Sequence, residues 1–237
     1  MRILVLQHLA AGHPWYLREL MAAAGCTTVT VRLDLGEPLP PLAQCDGLLV
    51  MGGVMQVWQE AEYPWLVDEK RYIRAAVEAG KAYLGVCLGH QLLAAACGGD
   101  VALARHPEIG VCPVETLPAA RAHAAFAAVS TPDRLQWHVA EVVCPPPGFA
   151  VLARSQHCAV QVLASGDKVL SVQYHVEADR DTVPSWCAIP AAREALEQAQ
   201  GADAAENFQR RTLAVLPELQ AHARALFGAW LQAARRV

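Results

Sequence analysis

Ala82-Tyr83-Leu84-Gly85-Val86-Cys87-Leu88-Gly89-His90-Gln91-Leu92-Leu93 joins two uncharged runs through a single cysteine. Ala82 to Val86 reads as a strand buried on both faces, and Leu88 to Cys97 as an apolar helix stopped by Gly98-Gly99. Cys87 occupies the junction, with a glycine two residues away on each side. A strand that turns this abruptly into a helix strains the backbone of its central residue and leaves no room for bulk at the flanking positions. Nucleophile elbows of the GxSxG type have the same geometry. The start of a helix also stabilises negative charge, which suits a reactive sulfur.

The same alternation extends in both directions. Ile3 to Leu6, Thr27 to Leu33 and Gly47 to Met51 read as further strands, and Trp15 to Ala24 and Tyr63 to Ala79 as helices closed by Gly25 and Gly80. Strands alternating with helices imply βαβ units around a parallel sheet. From Val101 to Tyr174 the pattern changes to short strands at Gly110 to Thr116, Val139 to Cys144, Ala150 to Ser155, Ala159 to Ala164 and Lys168 to Tyr174. Some of these are expected to form a small antiparallel layer. Ala204 to Ala234 reads as a last long helix, interrupted or kinked near Pro217.

The 237 residues are enough for a full core and are expected to form one domain, residues 1–237. With 54% apolar and 18% charged residues and a formal net charge of -4, neither disorder nor binding to nucleic acid is suggested. No apolar stretch approaches the roughly 20 residues of a membrane span, and Met1 to Leu6 is too short for a signal sequence. A cytoplasmic protein is expected. The eight cysteines show neither CxxC nor zinc-ligand spacing, so no metal and no disulfide framework is expected. Cys26, Cys45, Cys97 and Cys112 are read as small core residues.

A cysteine nucleophile needs a base, and the base needs an orienting group. The apolar run Val169 to Tyr174 leads into His175-Val176-Glu177. In an extended backbone, residues two apart face the same way, so Glu177 can hold the His175 ring. Acyl transfer also needs donors for an oxyanion. Gly52-Gly53 follows a buried parallel strand, where bare backbone can approach a substrate, and the amide of Leu88 opens the elbow helix. His138, after Trp137, is a candidate to line the pocket. His90 is read as a support for the site or as a packed core residue. His157-Cys158 lacks a glycine-framed turn.

Together these residues resemble the class I glutamine amidotransferase family. Gly85-Val86-Cys87-Leu88-Gly89-His90-Gln91 matches its nucleophile motif, and Gln173-Tyr174-His175-Val176-Glu177 is similar to its Q-[FWY]-H-P-E. Gly52-Gly53 falls where the family has its oxyanion glycines. The likeness runs from the first strand to the last helix. It is strongest to stand-alone proteins similar to the amidotransferase domain of GMP synthase, in which Glu62-Tyr63-Pro64-Trp65 and Glu108-Ile109-Gly110 also have counterparts.

The resemblance implies a single-domain, flavodoxin-like α/β fold with a central, mostly parallel sheet flanked by helices. It also implies that Cys87 attacks the side-chain carboxamide of glutamine to form a γ-glutamyl thioester. His175 then protonates the departing ammonia and activates water, Glu177 orients His175, and Gln91 and the backbone of Trp137 to Val139 contact the glutamyl group. Two segments depart from the pattern. Val176 replaces the usual proline, and Val139-Ala140 stands where related proteins often have glycine and aspartate.

No GxxxxGK or other ATP signature is present, and no cofactor is expected. Ammonia therefore requires a separate synthase subunit, or the chain hydrolyses γ-glutamyl peptides or amines for their own sake. An acyltransferase or a non-catalytic binding protein on the same fold are further readings.

Overall fold

The computed structural model describes residues 1–126 and 131–236. Its strands are β1 (Arg2–Gln7), β2 (Thr27–Arg32), β3 (Gly47–Val50), β4 (Ala82–Val86), β5 (Asp100–Thr116), β6 (Asp133–Cys144), β7 (Ala150–Ser155), β8 (Val162–Ser165) and β9 (Val169–Val172). The helices are α1 (Trp15–Ala23), α2 (Trp65–Glu78), α3 (Leu88–Ala96), α4 (Thr182–Cys187), α5 (Pro190–Gln200) and α6 (Ala204–Arg235). Among the described residues these strands form one sheet of nine, in the order β2-β1-β3-β4-β9-β8-β7-β5-β6. Neighbours from β2 to β9 are parallel, and those from β9 to β6 are antiparallel.

Burial explains the parallel half. Strands covered on both faces need apolar residues at successive positions, and β3 and β4 are buried along their whole length. Ile3, Val5, Leu49 and Leu84 pack on one face with Leu17 of α1 and Trp230 of α6. Leu4, Leu6, Leu48 and Val50 pack on the other with Ile73 of α2 and Leu92 of α3. The antiparallel strands continue the edge of this same sheet, and β5 and β6 extend it as a long ribbon.

Several boundaries differ from those expected. β5 begins at Asp100 rather than Gly110, with its ladder broken between Leu103 and Glu108, where Pro107 cannot donate. β6 begins at Asp133 rather than Val139. Its inward positions Arg134, Gln136 and His138 are polar yet buried, which hides the alternation a half-buried strand ordinarily shows. α6 is continuous through Pro217. The carbonyl freed there belongs to Leu213, which lies on the exposed side of the helix, where water can satisfy it. Of the four cysteines read as core residues, Cys45 is buried, whereas Cys26, Cys97 and Cys112 are half-buried. No helix among the described residues is long and apolar enough to cross a membrane.

Candidate active site

Four adjacent parallel strands end together, and the chain just past each end supplies the site. His8 follows β1, Gly52-Gly53 follows β3, Cys87 follows β4 and His175 follows β9. Carboxyl ends of parallel strands are where open α/β sheets bind ligands, because the helices there leave the sheet and open a crevice.

Cys87 has φ 53° and ψ -104°, a backbone that L-residues rarely adopt. The turn is held by its own amide, which donates to the carbonyl of Val172 at 2.9 Å. The flanking glycines are steric requirements. A Cβ on Gly85 would lie 2.7 Å from the carbonyl oxygen of Gly89, and one on Gly89 would collide with the carbonyl of Val50. Cys87 is 6% exposed and lines the cavity beside it. Its thiol points at the carbonyl of Trp137, 3.8 Å away.

Across from the sulfur, Nδ1 of His175 donates to Oε1 of Glu177 at 2.7 Å. The extended backbone is fixed at each end of this pair. The amide of His175 donates to Leu135 of β6 at 2.8 Å, and the carbonyl of Glu177 accepts from Tyr16 of α1 at 2.9 Å. These bonds hold the segment with Val176 in place of the proline of the expected motif. Trp186 packs on the His175 ring at 4.4 Å between centroids. Burial works against a charged His175, but the Glu177 carboxylate and then the Cys87 sulfur outweigh it and raise the imidazolium to about 10. Among the described residues, Nε2 of His175 has no hydrogen-bond partner.

Gly52 closes the gap between these two elements. A Cβ on it would stand 3.4 Å from Cε1 of His175 and 3.5 Å from Cβ of Cys87. Leu88 is the first helical residue of α3, so its amide has no partner within the helix. Cys87, His175, Glu177, Gly52, Gly53, Gln91, Trp137 and His138 all line one cavity of about 340 Å³, and Leu88 lies behind Gly53. That size is ordinary for a small-molecule site.

The binding candidates divide by what their polar atoms are doing. The amide nitrogen of Gln91 is committed, donating to Ala140 at 2.9 Å and to Gln173 at 3.1 Å. Both ring nitrogens of His138 are engaged, by the carbonyl of Ala140 at 3.0 Å and by Glu108 at 3.2 Å. Glu108 also accepts from Ser155 and Gln161, both at 2.8 Å. The Trp137 ring lies between Trp186 and Phe208, at 5.8 and 5.6 Å, so what it offers the cavity beside Cys87 is its carbonyl. His90 stands outside the cavity, bonded to Ser171 at 2.8 Å and Val160 at 3.1 Å, and burial pushes its imidazolium down to about 3. It is a packed core residue.

Two residues escaped the sequence reading. His8 donates to the carbonyl of Gly52 through Nδ1 at 3.1 Å, and its Nε2 meets Oε1 of Glu69 at 2.9 Å. Glu69 does carry a signal. It falls in the series Leu66, Glu69, Ile73, Ala76, the buried face of α2, where a carboxylate needs a buried partner.

A strained cysteine on a strand-to-helix turn, across from a carboxylate-held histidine just past an adjacent strand of an α/β sheet, is the arrangement that a cysteine nucleophile and its base would require. The chain belongs to the class I glutamine amidotransferase family, whose model matches residues 13–183. It is 32% identical over 186 residues to the putative glutamine amidotransferase-like protein YfeJ of Salmonella typhimurium, covering 75% of each chain. It is 38% identical over 144 residues to one subunit of the glutamine-hydrolyzing GMP synthase of Sulfurisphaera tokodaii, covering 60% of this chain and 72% of that one. GMP synthase of Aeropyrum pernix matches at 31% identity over 181 residues, but this alignment spans only 32% of that longer protein. Among solved structures, a glutamine amidotransferase from Methylobacillus flagellatus superimposes with a TM-score of 0.86 at 27% identity, covering 100% of this chain and 96% of that one.

Proposed function

We propose that the chain, as one domain over residues 1–237, hydrolyses the γ-carboxamide of glutamine through a γ-glutamyl thioester on Cys87. The observation that carries this reading is the convergence of Cys87, the His175–Glu177 pair and Gly52 at the ends of three adjacent parallel strands.

In the first half of the reaction the Cys87 thiolate attacks the carboxamide carbon. The amides of Gly53 and Leu88 hold the resulting oxyanion. The His175 imidazolium gives its proton to the nitrogen, the C–N bond breaks and ammonia leaves. Acylation removes the negative charge of the sulfur, and with it one of the influences that keep His175 protonated. The neutral ring then takes a proton from water, whose oxygen attacks the thioester. The C–S bond breaks, glutamate departs, and the thiolate and imidazolium are restored. Gln91 and the Trp137 to Val139 backbone bind the glutamyl group. The reaction needs no metal or cofactor.

The protein works in the cytoplasm, without nucleic acid or membrane as partner, and passes ammonia to a separate synthase subunit. Relatives named as one subunit of a GMP synthase support that arrangement, since the name implies a second subunit in those proteins.

A second reading is favoured by the cavity wall. Leu9, Val54, Met55, Val139, Trp186 and Ile189 line it, and among the described residues no lysine or arginine does. Such a wall accepts the apolar amine of a γ-glutamyl amide and offers nothing to a leaving group that carries its own carboxylate. Steady-state rates with glutamine, γ-glutamyl anilide and γ-glutamylglycine separate the readings. Glutamine with the highest kcat/KM supports the amidotransferase, and the anilide with the highest supports the amide hydrolase. Inactivity on all three would sink both.

A further inference from the structure

His8 and Glu69 lie 61 residues apart, and neither side chain has any exposed surface. Nothing in the thioester chemistry above uses them. Burying two ionisable groups is costly unless each is bonded to a specific partner. Here Glu69 has His8 as its partner, and His8 has Glu69 and one peptide group of the site. Nδ1–H of His8 donates to the carbonyl of Gly52 at 3.1 Å, while Nε2 bonds to Glu69 at 2.9 Å. Trp65, at the start of the helix that carries Glu69, stacks on the His8 ring at 5.5 Å and 16°.

In a trans peptide the carbonyl of Gly52 and the amide of Gly53 point in opposite directions. A bond that draws the carbonyl toward His8 therefore turns the Gly53 N–H the other way. That amide donates to no protein group among the described residues. Glycines on both sides of a peptide make reversal of its plane easy, so some contact must choose between the two orientations. In the reversed one, a carbonyl oxygen would face the developing oxyanion.

We propose that His8, held by Glu69, is a positioning residue that locks the Gly52–Gly53 peptide with its N–H available as an oxyanion donor. The proposal rests on the reading of Cys87 as an acyl-transfer nucleophile with Gly53 as a donor. Protonation suits the role. Burial opposes the charged ring, but the charge and hydrogen bond of Glu69 raise the His8 imidazolium above its ordinary range, and a doubly protonated ring can donate to both partners at once.

The variants His8→Leu, Glu69→Leu and Glu69→Gln test it, with turnover of glutamine or of γ-glutamyl anilide, whichever the wild type cleaves, and with alkylation of Cys87 by iodoacetamide. Alkylation needs the nucleophile but forms no oxyanion. His8→Leu and Glu69→Leu are expected to lower kcat about 10²-fold, the scale of losing one oxyanion donor, with KM changed less than about threefold. Cys87 alkylation stays at the wild-type rate. Glu69→Gln keeps most of kcat, because its amide can donate to Nε2 and leave Nδ1–H for Gly52. A crystal structure of His8→Leu supplies an arm independent of activity, and the Gly52–Gly53 peptide is expected to be reversed in it. An unreversed peptide, unchanged kcat, or parallel losses in turnover and alkylation overturns the proposal. Failure of the underlying reading looks different, because Cys87→Ala would then retain wild-type turnover.

Discussion

His175 and Glu177, separated only by Val176, bond Nδ1 to Oε1 at 2.7 Å in a site where both side chains are buried. This contact sets the protonation state on which the proposed chemistry depends. Because His175 is raised to about 10, its imidazolium persists through neutral pH and is lost only as pH climbs through that value. The alkaline limb of kcat/KM is therefore expected near 10 in the wild type. Glu177→Gln removes the carboxylate charge, so it moves that limb down toward the ordinary histidine range and lowers kcat by about 10² or more. A limb that stays in place in Glu177→Gln would show that another group governs it.

The glycines separate fold from function. Gly52→Ala places a methyl group in ordinary contact with His175 and Cys87, so urea unfolding should remain near wild type while turnover falls at least about 10²-fold. Gly89→Ala drives a methyl group into the backbone carbonyl of Val50 and should destabilise by about 1–3 kcal/mol or more. Equal loss of stability in both variants would contradict the assignment of Gly52 to the site.

Two buried histidines that do not line the cavity predict acid sensitivity. Burial pushes His90 down to about 3, and burial with the nearby Arg134 charge does the same to His222. Both folded values lie below the unfolded one near 6.5, so unfolding takes up protons on acidification. Their contribution to stability is present above about pH 6.5 and is lost as pH falls toward 3, at up to about 1.4 kcal/mol per unit per group. His222→Gln leaves an acceptor for the Tyr174 hydroxyl, which bonds to this histidine at 3.0 Å, and should flatten the decline. Urea midpoints at about pH 7 and about pH 5 measure the difference.

The parallel half of the sheet and the elbow are legible in the sequence because local forces specify them. Buried strands read as apolar runs, and Gly85 and Gly89 mark places where backbone meets backbone. The ribbon of β5 and β6 is less legible. Its buried positions Gln136 and His138 bond to side chains distant in the chain, Gln161 at 2.9 Å and Glu108 at 3.2 Å, while the buried Arg134 bonds to the nearby carbonyls of Thr131 and Asp133. His8 is hidden for the same reason, since its roles depend on Gly52 and Glu69 from two other elements. Polar residues buried through long-range bonds look like surface residues to any reading based on periodicity.

Substrate-dependent release of ammonia or amine by the wild type and by Cys87→Ala tests the central claim most directly. Circular dichroism and melting temperature show whether both proteins are folded. The wild type is expected to release ammonia or amine and glutamate in equal amounts, and folded Cys87→Ala to lose about 10⁴-fold or more of that rate. Release at the wild-type rate by folded Cys87→Ala would contradict the thioester mechanism.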